Sequence, residues 1–177
     1  INQDYLENDS SKIITLMENV ESLIDRGEKV LVFSQFTSFL SIIKKEFKRR
    51  NIGYAYLDGK THKREEVVNS FKKDSSKPVF LISLKAGGVG LNLTEASYCF
   101  LIDPWWNPAV ESQAIDRIHR IGQSKKVFAY RLITKDSIEE KILKLQQSKR
   151  NVSENILATD ESLLKQMSSA DLQFLFS

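Results

Sequence analysis

The chain has 177 residues, 41% hydrophobic and 28% charged, with a net charge of +3 and a pI of about 8.9. This is enough for one domain, or one domain with an appendage, around a real buried core, and the mild basicity permits nucleic-acid binding without demanding it. No apolar run nears the length of a membrane span, no signal peptide is expected at the start, and one cysteine with two histidines cannot build a structural zinc site.

Residues 1–9 read as a polar lead-in. Ser10 or Ser11 then caps a predicted helix whose apolar residues Ile13, Leu16, Met17, Val20, Leu23 and Ile24 recur at helical spacing, and Arg26-Gly27 ends it. VLVF (30–33) is a short apolar run suited to a strand buried on both faces. Phe36, Phe39, Leu40, Ile43 and Phe47 form one face of the next helix. YAYL (54–57) is a second strand, 61–72 a crossover helix, VFLIS (79–83) a third strand and YCFLI (98–102) a fourth. Cys99, inside that fourth run, has no partner for an internal disulfide and is expected to be a buried thiol in a reducing compartment. Asn107-Pro108 starts a helix, with a cap residue followed by proline at the first helical position. VFAYRLI (127–133) is a fifth strand, and Ser137 with Glu140 forms a capping box. Behind it, Ile138, Ile142, Leu145, Val152 and Ile156 make an apolar seam, and 160–167 and 169–176 are short helical pieces.

Apolar strands alternating with helices predict an α/β fold, a doubly wound, mainly parallel sheet flanked by helices. Such sheets bind ligands at the carboxyl ends of their strands, where Ser34, Asp58, Ser83 and Asp103 fall.

Two segments carry chemistry at those ends. In QAIDRIHRIGQ (113–123), Arg117 and Arg120 stand three apart and Gln113 four before Arg117, all on one helical face. Two guanidinium forks on one face suit a phosphate gripped from two sides. SLKAGGVGLN (83–92) is a glycine-rich turn after a strand, where backbone approaches a ligand closely and N–H groups are open to anions. It is not a dinucleotide fingerprint, because position 93 is leucine. Gly59-Lys60-Thr61 mimics the end of a phosphate-binding Walker A loop, but the required first glycine is replaced by Tyr54 within a strand. The basic runs 44–50, 72–73 and 125–126 read as solvated faces.

Together these segments resemble motifs V and VI of superfamily-two helicase-type ATPases. The ending HRIGQ, with the preceding DPWWNP, narrows the resemblance to Swi/Snf-type double-stranded DNA translocases. The resemblance covers most of residues 10–150 and is to the second, C-terminal RecA-like lobe. It divides the chain into that lobe, 1–136, and a C-terminal brace helix with short terminal helices, 137–177. It implies that Arg117 and Arg120 are arginine fingers for ATP, and that Gly88, Gly90 and Asn92 lie near the nucleotide, with Gln113 on the same side. Ser83 and Lys85 then lie near a DNA phosphate. DGKT (58–61) matches motif IVa, bringing Gly59, Lys60 and Thr61 to the DNA backbone with added charge from Arg64. VLVFSQFTSF (30–39) resembles motif IV and offers Ser34 and Gln35 to a phosphate, although a serine-capped turn explains Ser34 equally well. Trp106 aligns with a DNA-contacting tryptophan, whereas Trp105 has no such counterpart and suits packing.

No G-x-x-x-x-G-K-[ST] run is present, and no apolar strand ends in Asp-Glu. The resemblance therefore implies ATP with Mg²⁺ held by an N-terminal lobe outside this sequence, and a fragment inactive alone. The implied partners are double-stranded DNA and that N-terminal lobe, with no membrane and no small-molecule substrate beyond ATP. The ending SADLQFLFS resembles the carboxyl terminus of compact family members. The expected location is cytoplasm or nucleoid in a bacterium and the nucleus in a eukaryote. Two alternatives stay open: a lobe of a superfamily-two RNA helicase, whose motif VI usually ends in H-R-x-G-R-x-G-R, and a non-catalytic module binding DNA or protein.

Overall fold

The computed structural model describes residues 10–84, 86, 91–104, 111–112, 115–116, 125–150, 168, 171 and 175, the side chains of 148–150 excepted. Five strands form one sheet, all pairs parallel, in the order β2-β3-β1-β4-β5. They are β1 (Val30–Ser34), β2 (Tyr54–Leu57), β3 (Val79–Ser83), β4 (Tyr98–Leu101) and β5 (Phe128–Arg131). The helices are α1 (Ser11–Asp25), α2 (Thr37–Arg49), α3 (Arg64–Lys73) and α4 (Ile138–Arg150).

The predicted strand runs are all present, and burial explains their composition. β1, β3 and β4 are buried along their whole length, so they need apolar residues on both faces. Val30, Val32, Val79, Leu81, Phe100 and Ile102 pack against α1 and α2. Leu31, Phe33, Phe80, Ile82, Cys99 and Leu101 face the opposite way, toward Phe71 of α3. Burial pushes the Cys99 thiol up to about 12, so it stays protonated. β5 is the outer strand, with Ala129, Tyr130 and Arg131 exposed.

Chain reversals follow the cap chemistry. Gly27 takes a φ of +72° after α1, and its N–H bonds Ile24 O (2.8 Å) while Glu28 N–H bonds Leu23 O (3.0 Å). That pair of bonds is a Schellman cap, which the sequence announced by its glycine. After α2 the left-handed position is filled by Asn51 (φ +56°), with Ile52 N–H bonded to Phe47 O at 2.8 Å. Gly53 follows because a Cβ there would lie 1.7 Å from Ser76 O. Ser10 takes the N-cap position of α1, but its side chain makes no capping bond.

The predicted capping box is shifted by one residue. Ser137 Oγ accepts the Glu139 N–H (3.2 Å), but the Glu140 carboxylate reaches Asp136 N–H (3.0 Å). Ile138, the first residue of α4, is exposed, while Ile142 is buried. Val152 and Ile156 of the predicted seam lie outside the described residues.

Candidate functional site at the carboxyl edge of the sheet

Four strand ends lie side by side along one edge. In spatial order they lead into the DGKT turn after β2, Leu84 and Ala86 after β3, Ser34–Phe36 after β1, and Asp103-Pro104 after β4. Ser34 and Ser83 are register partners, and Leu84 N–H continues the ladder to Ser34 O at 2.9 Å.

Asp103 organises the centre of this edge. Its Oδ1 accepts Ser34 Oγ–H at 2.6 Å and its Oδ2 accepts Gln35 N–H at 2.8 Å. Gln35 Nε2 donates to Pro104 O at 3.0 Å, so the turn after β1 is fastened to the loop after β4 by three bonds. The carboxyl is only 5% exposed. Burial pushes its pKa above the usual carboxylate range, although bonds from Ser34 and Gln35 and the nearby Lys12 charge oppose the rise. The sequence showed Asp103 at a strand end, but nothing in it indicated bonds to residues 68 and 69 positions away.

Ser34 is buried and its hydroxyl is engaged twice: it donates to Asp103 and accepts Phe36 N–H at 3.0 Å. Phe36 itself occupies the N-cap position of α2, so the serine stabilises the turn ahead of the helix. Ser83 is buried as well. Gln35 is half-buried, and Phe36 is 54% exposed.

The DGKT turn is built locally. Asp58 Oδ1 accepts Lys60 N–H and Thr61 Oγ1–H, each at 3.0 Å, and Thr61 Oγ1 accepts Asp58 N–H at 3.0 Å. Tyr56 O–H donates to Asp58 Oδ2 at 3.0 Å. Burial pushes the Asp58 carboxyl up, but the bonds from Thr61, Tyr56 and Lys60 together win and hold it below its ordinary value. Burial and the same carboxylate push the Tyr56 hydroxyl up to about 12. Gly59 and Lys60 are exposed, with open space around Gly59. The backbone between Tyr54 and Leu57 is a strand, which rules out a Walker A loop there.

Arg64, expected to add charge toward a ligand, is half-buried and its Nη2 donates to Ala86 O. It therefore fastens the start of α3 to the segment entering the glycine-rich turn. Asn92 is exposed beyond that turn. Lys85, Gly88, Gly90, Trp106, Gln113, Arg117 and Arg120 lie outside the described residues. Just before Gln113, the fully buried Glu111 accepts Arg131 Nε–H of β5 at 2.6 Å, a tether invisible in sequence because its partners are 20 residues apart. Among the described residues no three His, Cys, Asp or Glu side chains converge to hold a metal ion. No described helix is long and apolar enough to cross a membrane.

The sequence and the fold are similar to those of known proteins. The helicase conserved C-terminal domain family matches residues 11–122. The chain belongs to that family. Within it, the chain is a C-terminal RecA-like lobe of the Swi/Snf type. It is 44% identical over 171 residues to the DNA repair protein RAD5A of Arabidopsis thaliana, covering 96% of this chain and 16% of that protein. It is 46% identical over 172 residues to the ATP-dependent helicase rhp16 of Schizosaccharomyces pombe, covering 95% of this chain and 20% of that protein. The chain thus spans a fifth or less of the length of these relatives. Among solved structures, the C-terminal part of the Fun30 ATPase domain superposes with a TM-score of 0.80 at 36% identity, over 99% of this chain and 54% of that one. The Sulfolobus solfataricus SWI2/SNF2 ATPase core in complex with dsDNA superposes with a TM-score of 0.76 at 33% identity, over 94% of this chain and 35% of that one.

Proposed function

We propose that this helicase C-terminal lobe is the second motor lobe of an ATP-dependent double-stranded DNA translocase. The observation that carries the reading is its likeness, along 94% of its length, to a Swi/Snf-type core solved with DNA. The carboxyl-edge loops supply the means. DNA backbone lies against Gln35, Gly59, Lys60, Thr61 and Lys85, with Trp106 beside it, and charge pairing gives grip without sequence preference. Ser34, Ser83 and Arg64 support that surface from beneath, since their polar groups face the protein.

Arg117 and Arg120 act as fingers on the γ-phosphate of ATP, whose charge builds in the transition state. Gln113, Gly88, Gly90 and Asn92 line the nucleotide side. The family's Mg²⁺ and Walker elements are assigned to an N-terminal lobe, because this sequence has no Walker A or B run. The lobe proper ends at Asp136, where the φ of +56° and the Ser137 cap start the C-terminal helix. The plant and yeast relatives favour the nuclear location.

The test is ATP turnover by this chain alone and by the full-length protein, each with and without duplex DNA. The fragment should be inactive and the full protein DNA-stimulated. Arg120→Ala in the full protein should lower turnover about a thousandfold. Trp106→Ala should lower DNA stimulation more than DNA-free turnover. Robust turnover by the fragment, or intact turnover in Arg120→Ala, sinks the assignment. Stimulation by RNA in preference to duplex DNA moves it to the RNA-helicase alternative.

A further inference from the structure

Lys12 belongs to none of the motifs, yet it sits at a junction of three segments. It lies in the first turn of α1, and its side chain is only 9% exposed. Its Nζ donates to Ile102 O at 2.9 Å and to Glu139 Oε1 at 2.6 Å. Ile102 is the residue between β4 and Asp103. Glu139 lies in the first turn of α4, and its Oε2 also accepts Thr134 N–H at 2.9 Å. Charge on Lys12 and on Glu139 is felt at Asp103, with opposite signs. Asp103 in turn holds Ser34 and Gln35.

A polar path therefore runs from α4 through Lys12 to the turn after β1 and the loop after β4. A buried ammonium must keep its acceptors, because an unpaired one is costly to hold out of water. If α4 shifts and withdraws Glu139, the carboxylate at the sheet edge that feels the Lys12 charge is Asp103. Its oxygens are the ones that fix Gln35 N–H and the Ser34 hydroxyl. The seating of α4 is thus transmitted to the turn after β1 and to Asp103-Pro104 after β4.

We infer that Lys12 is a positioning residue, coupling α4 to the two carboxyl-edge segments that carry Gln35 and Asp103-Pro104. The coupling sets how those loops meet DNA, and in that respect it rests on the translocase reading. Lys12 and Glu139 touch neither proposed ligand. Their loss should spare DNA-free ATP turnover and reduce the response to DNA.

The experiment is a double-mutant cycle in the full-length protein with Lys12→Met, Glu139→Ala and the pair. DNA-free turnover should stay within about twofold of wild type. DNA stimulation should fall about tenfold in each single variant, an ordinary size for coupling between linked sites. The double variant should lose less than the sum of the two singles, because both remove the Lys12–Glu139 contact while each also removes one of its own, to Ile102 O or from Thr134 N–H. Glu139→Gln, which keeps the shape and an acceptor oxygen, should retain part of the response and serves if Lys12→Met does not fold. A second readout is hydrogen exchange of the peptide spanning 34–37 without DNA, expected to be faster in both single variants. Unchanged exchange there, or additive losses in the double variant, overturns the inference. A wild-type protein insensitive to DNA would sink the translocase reading, while the exchange measurement would still decide the Lys12 link.

Discussion

Asp58 and Asp103 are the same residue type at the same kind of position, the carboxyl end of a parallel strand, yet their surroundings drive them in opposite directions. Asp58 lies in a half-exposed turn, and its carboxylate accepts three hydrogen bonds from residues two and three positions away. Its pKa is held down. Asp103 is buried, and its bonds come from the carboxyl end of the neighbouring strand β1. There burial wins over hydrogen bonding, and its pKa is pushed up. The turn after β2 is therefore self-contained and leaves Gly59 and Lys60 free to face a ligand. The edge at β1 and β4 is a shared structure in which one carboxylate fixes two loops.

The largest expected consequence of this difference is in stability. Asp103→Ala should cost about 3 kcal/mol, since it leaves the Gln35 N–H without its acceptor and takes from the buried Ser34 hydroxyl its short charged partner. Asp103→Asn should cost much less, because Ser34 is able to accept from the amide while donating to Phe36 O, 3.3 Å away. Urea denaturation of the full-length protein checks both, and equal losses would deny the polar network its role. Thr61→Val should cost about 1 kcal/mol, because only one local bond pair is lost and the turn is open to water. Losses from Thr61→Val as large as those from Asp103→Ala would erase the contrast.

Acid sharpens the comparison by sign. Asp58, whose folded pKa is depressed, contributes stability that is present above its unfolded pKa and lost as the pH falls through the folded one. Asp103, whose folded pKa is raised, behaves in reverse: its contribution is full below the unfolded pKa and lost as the pH rises through the folded value. Asp58→Asn should therefore flatten the loss of stability on acidification. Asp103→Asn should steepen it just above the unfolded carboxylate pKa, of about 4. Stability curves that shift the same way in both variants would contradict the opposite assignments.

The smallest structural effect is expected at Lys60. Lys60→Ala should change stability by less than about 0.5 kcal/mol, as at other exposed positions. In DNA binding by the full-length protein it should reduce the salt slope by about 1, as for one lost phosphate contact. An unchanged slope would remove Lys60 from the DNA surface.

The two regions also differ in how far they could be read in advance. The DGKT turn was legible because its bonds span two or three residues, and aspartate, glycine and threonine at that spacing imply them. The Asp103 junction was half legible: its place at a strand end followed from the apolar run before it, but not its partners. Ser34 was readable as a turn residue, but not as a buried group. Lys12, Arg64 and the Glu111–Arg131 pair carried no signal, because each joins segments at least 20 residues apart.

The sequence by itself determined the five strands, the four described helices and their alternation, while the helices expected from Asn107-Pro108 and over 160–176 lie mostly outside the described residues. Apolar periodicity and cap residues act over a few positions, and a parallel sheet with buried central strands admits little else. It also determined the family, through QAIDRIHRIGQ and DPWWNP, where side-chain identity at fixed spacing is the signal. Only the tertiary structure decided the strand order, which sets Ser34 beside both Ser83 and Asp103. It alone decided which polar groups point inward. That choice depends on desolvation and on hydrogen-bond partners from distant segments, and neither exists until the chain has folded.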